Sequence, residues 1–152
     1  MTSLTKIVST VATVLALASS ISPALAHDDA YLDTLKSANG GQVRMAGVYH
    51  FELVMAKDSK DAKEKQIMVY VTDHAGTKIP TAGATANATI LSGKTKTGAS
   101  LVPDGDNRLK GSAKYIAGAD TKVVLSVSMP GKPAEQARYT PFAIGTEEHM
   151  HH

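Results

Sequence analysis

Apolar and polar residues alternate along most of this chain. From Val48 to Met55, the side chains of Tyr49, Phe51, Leu53 and Met55 fall on one side of an extended backbone, with His50 and Glu52 on the other. Gln66 to Thr72 repeats the pattern with Ile67, Val69 and Val71, and Lys122 to Met129 repeats it with Val123, Leu125 and Val127. A period of two in β-branched and aromatic residues predicts half-buried strands. Weaker runs over Ala84 to Leu91, Thr95 to Val102, Leu109 to Ile116 and Ala134 to Ile144 predict four more. Turn signals punctuate them at Asp73-His74-Ala75-Gly76, Ser92-Gly93-Lys94, Pro103 to Asn107 and Pro130-Gly131-Lys132-Pro133. The charged stretch from Ala56 to Lys65 predicts a solvated loop. About seven short strands at this spacing predict an all-β fold, an antiparallel immunoglobulin-like β-sandwich.

The start of the chain reads differently. Lys6 is followed by an apolar run from Ile7 to Ala18, by Ser20, Ser22 and Pro23, and by the A-x-A triplet Ala24-Leu25-Ala26. That order predicts a cleavable signal peptide over residues 1–26. The run is shorter than the ~20 apolar residues that span a bilayer. Cleavage would leave 126 of the 152 residues, beginning at His27, which is one domain's worth of chain. Residues 27–39 form a lead-in, either a short helix or a strand, and Asn39-Gly40-Gly41 ends it. Residues 40–145 carry the β domain, and residues 146–152 a tail rich in His and Met. The expected location is the periplasm or the exterior, with no membrane span after cleavage.

Composition narrows the chemistry. The chain has no Cys, so an exported domain holds together by burial rather than by disulfides. Metal binding would fall to His and Met. The net charge of +2 becomes +1 without Lys6, and the basic residues are scattered rather than striped, which speaks against nucleic acid as a partner. Catalytic motifs fail on inspection. Ser92-Gly93-Lys94-Thr95 ends like a phosphate-binding loop, but Ala88 stands where its first Gly belongs. Asp104 and Asp106 lack the further oxygen ligands of a calcium loop. Asn87-Ala88-Thr89 matches a glycosylation sequon inside a predicted strand. No nucleophile elbow or His-Glu-x-x-His is present, so the sequence reads as a binding protein rather than an enzyme.

The histidines and methionines carry the functional signal. At a new N-terminus, His27 offers an α-amine and a ring nitrogen to one ion, a pairing that suits Cu(II). The tail Glu147-Glu148-His149-Met150-His151-His152 gathers three imidazoles, a thioether and two carboxylates, a compositional metal-binding signal. His50 lies two residues from Glu52, so both share a strand face. The candidate ligands are therefore His27, His50, His149, Met150, His151 and His152. Copper is favoured, and zinc and nickel are the other ions that imidazole suits. His74 reads as an ordinary exposed turn residue. Met55 and Met68 read as packing, and Met45 as a loop residue near a Gly.

Two stretches, Gly40-Gly41-Gln42-Val43-Arg44-Met45-Ala46-Gly47-Val48-Tyr49-His50-Phe51-Glu52-Leu53-Val54 and Val69-Tyr70-Val71-Thr72-Asp73-His74-Ala75-Gly76-Thr77-Lys78-Ile79-Pro80, carry a resemblance. Together they resemble a small β-sandwich domain of bacterial envelope proteins, found as short secreted proteins and in periplasmic adaptor subunits of heavy-metal efflux systems. The resemblance covers roughly Gly40 to Leu91. It departs from the family pattern at Asn39, where relatives carry His before the Gly pair. It implies envelope metal handling, with an efflux or carrier protein as partner. The rival expectation is a non-metal envelope interaction module that pairs through a sheet edge.

Overall fold

The computed structural model describes residues 29–57 and 61–143. One short helix, α1 (Asp29–Thr34), precedes eight strands: β1 (Gln42–Ala46), β2 (Tyr49–Met55), β3 (Lys63–Asp73), β4 (Thr85–Ser92), β5 (Thr95–Pro103), β6 (Arg108–Tyr115), β7 (Lys122–Ser128) and β8 (Glu135–Tyr139). All pairings are antiparallel, in the order β1-β2-β3-β6-β5-β4-β7-β8. The all-β expectation holds, and the sheet is nearly closed. Among the described residues no helix is long and apolar enough to cross a membrane.

The alternation does what it predicts. Phe51, Leu53, Ile67, Val69, Val71, Leu109, Leu125 and Val127 are at most 1% exposed and meet in one core. Each such side chain contributes roughly 1.5–3 kcal/mol by leaving water. Tyr139 closes the core from β8, and its hydroxyl donates to the Phe51 carbonyl at 2.9 Å.

Three expectations need correction. β1 replaces the predicted loop around Met45. Its apolar residues Val43 and Met45 face outward, while Arg44 and Ala46 face inward and are buried. Inward alternation broken by an Arg hides a strand from a hydrophobicity pattern. Second, the charged stretch does not stay a loop. Lys63, Glu64 and Lys65 extend β3 and pair with Tyr115, Lys114 and Ala113, because backbone pairing along β6 satisfies their N–H and C=O groups while the Lys63 and Glu64 side chains stay exposed and Lys65 Nζ donates to the Tyr115 carbonyl at 2.6 Å. Third, the last strand ends at Tyr139, where Thr140 and Pro141 turn the chain.

The edge strands β1 and β8 face each other across a seam. Side chains tie it: Arg44 Nε donates to the Arg138 carbonyl at 3.2 Å, and the Thr140 N–H donates to Gln42 Oε1 at 2.8 Å. α1 lies beside it, with Leu32 buried and Asp33 2.7 Å from Arg44 Nη1.

Candidate metal centre

Among the described residues, the outer face of β1, β2 and β3 brings together two imidazoles, one from His50 and one from His74. Strand register lays its residues in rows. Met45 pairs with His50, and His50 with Thr72; Val43 pairs with Glu52, Glu52 with Tyr70, and Tyr70 with Arg108. Directly opposed residues in an antiparallel pair share a face, with Cβ atoms about 4.5–5.5 Å apart. Met45 and His50 are therefore neighbouring positions on this face.

A second imidazole joins them from the turn after β3. The Asp73 carboxylate accepts the N–H of Thr77 at 2.8 Å and of Ala75 at 2.9 Å. These bonds hold the turn that carries His74, and the Thr77 bond, the strongest influence, keeps the Asp73 carboxyl below its ordinary pKa. Gly76 takes the left-handed conformation the reversal requires (φ 82°). The His74 ring then stacks on His50, centroids 4.8 Å apart and planes 22° from parallel. His74 is exposed and His50 half-buried. A stacked pair is not a chelate. His74 stands on a surface turn.

Glu52, the sequence neighbour of His50 on this face, is occupied elsewhere. Its carboxylate is buried and accepts the backbone N–H of Asn39 at 2.9 and 3.1 Å and the Asn39 Nδ2 at 2.8 Å. Asn39 and Glu52 thus pin the segment after α1 over the outer face. Beneath that segment lies a cleft of about 470 Å³, walled by Leu35, Ala38, Val43 and Tyr70, with His50, Lys36 and Lys78 also lining it. A second cleft of about 360 Å³ adjoins it and shares Leu35 and Val43.

Of the residues singled out as ligands from sequence, only His50 falls within the described part. His27, His149, Met150, His151 and His152 lie outside it, as does the signal peptide. Sequence reasoning passed over His74 and set Met45 in a loop. Their meeting with His50 depends on strand register, which the unrecognised β1 concealed. Among the described residues no three His, Cys, Asp or Glu side chains cluster closely enough to hold a metal. The set here is two imidazoles and one thioether, donors that suit copper in either oxidation state. Compared with family models, with curated proteins and with solved structures, the chain matches none.

Proposed function

We propose that this protein is an exported metal-binding β domain that takes copper in preference to other ions. It sequesters the ion in the periplasm or hands it to an efflux or carrier protein of the envelope. The observation that carries the reading is the stacking of His74 on His50 at 4.8 Å, with Met45 paired across from His50. Zinc and nickel share the imidazole donors, while the thioether favours copper. Export rests on the signal-like residues 1–26, and the efflux partner on the resemblance over Gly40 to Leu91. His27 and the tail residues His149, Met150, His151 and His152 are proposed as further ligands. The two halves of the sheet, joined at Val102 and Pro103 of β5, are proposed as the layers of an immunoglobulin-like sandwich.

A calorimetric titration of Cu(II) into the chain beginning at His27 tests the site. We predict one ion per chain, with affinity falling about tenfold or more in His50→Ala and in His74→Ala, while circular dichroism stays unchanged. Equal affinity in both variants would remove this site from the account.

The interaction-module reading also has an observation behind it. β5 pairs in register with β6 only through Val102 and Pro103, and beyond the close approach of Ser100 to Gly111 the Thr95–Ala99 edge of β5 has no registered partner strand among the described residues. Lys94 and Lys96 guard that edge in the manner of strands protected from chance pairing. A pull-down from envelope extract that is unchanged by chelator and lost on substitution of that edge would favour this reading over metal binding.

A further inference from the structure

The larger cleft on the outer face has a built frame that the metal reading does not use. Its roof is the segment between α1 and β1. Buried Leu32 of α1 anchors the start of that segment. At its far end the Glu52 carboxylate accepts the backbone N–H and Nδ2 of Asn39. The floor is set by the β1–β2 and β2–β3 ladders. Held at both ends, the roof is kept off the strands, and about 470 Å³ stays open beneath it. That volume lies within the roughly 300–1,000 Å³ of small-molecule sites.

The lining points to a class of ligand. Leu35, Ala38 and Val43 supply apolar surface, and Leu35 is 41% exposed. An apolar body entering here removes uncovered side chain from water, which favours binding. The charge is also one-sided. Lys36 and Lys78 line the cleft, and both are exposed. A backbone bridge between Thr72 and Lys78 fixes Lys78 against β3. Neither lysine belongs to a salt bridge among the described residues. Glu52, the one carboxylate of the lining, is buried and turned to Asn39 by its three hydrogen bonds. The exposed charges of the lining are therefore both positive.

We propose that this cleft binds a small organic anion, an apolar body capped by one carboxylate. The body lies under the roof against Leu35, Ala38 and Val43, and the carboxylate stays at the rim by Lys36 and Lys78. Burial of the body supplies most of the affinity. The exposed lysines select the anion and orient it, as rim charges do. This site goes beyond the copper reading. It needs neither a metal nor His74, although His50 borders both.

Titration of octanoate, and separately of the neutral octanol, into the full chain tests the proposal, followed by methyl-resolved nuclear magnetic resonance with a chelator present. Both ligands should shift the Leu35, Ala38 and Val43 methyl signals saturably. Octanoate should bind about fivefold more tightly, the order expected of two exposed lysines acting on one anion. Lys36→Glu/Lys78→Glu should erase that preference and leave octanol affinity unchanged. Val43→Phe fills the cleft from a strand position that tolerates an aromatic, and should weaken both ligands several-fold. His74→Ala should leave octanoate binding unchanged. Equal affinities for the two ligands, indifferent to the lysine reversal, would overturn the proposal. So would unchanged binding in Val43→Phe, or shifts confined to exposed methyls elsewhere, such as Val48 and Ile116. Because chelator is present throughout, failure here leaves the copper titration standing, and failure of that titration leaves this cleft standing.

Discussion

Glu52 shows how a single side chain can look functional and prove architectural. Its carboxylate accepts the Asn39 backbone N–H and Nδ2 from a buried position. Hydrogen bonds to a charged group contribute about 1.5–3 kcal/mol. We therefore expect Glu52→Ala to lower stability by about 2 kcal/mol in urea unfolding and to loosen the wall of the cleft. Copper affinity in the folded variant should fall less than in His50→Ala. Tyr139 offers a pH test. Burial raises its pKa far above the ordinary tyrosine value, with the Arg44 charge opposing. A group whose folded pKa is raised contributes stability that is complete below its unfolded pKa of about 10 and is lost as pH climbs beyond it. Stability should accordingly fall above pH ~10. In a spectrophotometric titration the Tyr139 phenolate should appear with unfolding and not before it. Tyr139→Phe should remove that part of the alkaline loss. At this scale the sequence places His50 and Glu52 on one face correctly, but not the stacking of His74, because no spacing rule links a turn residue to a strand two registers away.

Elements were legible where their inward positions are apolar. β2, β3 and β7 carry Phe51, Val69 and Leu125 inward, and the pattern predicts them within a residue or two at most ends. β1 escaped because Arg44 occupies an inward position and is satisfied there by the Arg138 carbonyl, the Val43 carbonyl and Asp33, contacts invisible to periodicity. The start of β3 escaped because exposed Lys63 and Glu64 resemble loop. Close packing between elements makes one further prediction. A Cβ at Gly111 of β6 would press on the carbonyl oxygen of Ser100 in β5, a backbone atom that cannot swing aside. Gly111→Ala should cost about 1–3 kcal/mol, visible as a lower urea midpoint. Gly98→Ala, where nothing lies within 4 Å, should be close to neutral by comparison.

The whole molecule is a sheet whose closure rests on side chains. Between β1 and β8, Arg44, Gln42 and α1 do what a backbone ladder does elsewhere. Arg44→Ala removes the bonds to Arg138, Val43 and Asp33 together, and Asp33 is half-exposed and screened. A loss of about 2 kcal/mol follows, with faster amide exchange confined to α1, β1 and β8. The seam also ties α1 to Arg44, whose side chain lies on the opposite face of β1 from Met45. The all-β class was readable from alternation alone, whereas the near closure was not, because it depends on which strands meet at the ends of the sheet. The central claim is that His50, His74 and Met45 surround one copper ion. Substoichiometric Cu(II) added to isotopically labelled protein tests it most directly, since the paramagnetic ion broadens nearby nuclear magnetic resonance signals first. The account predicts that the His50 and His74 imidazole signals and the Met45 methyl disappear together, ahead of the core Met55 methyl. Broadening confined to His27 or to the tail imidazoles, with His50, His74 and Met45 untouched, would contradict it.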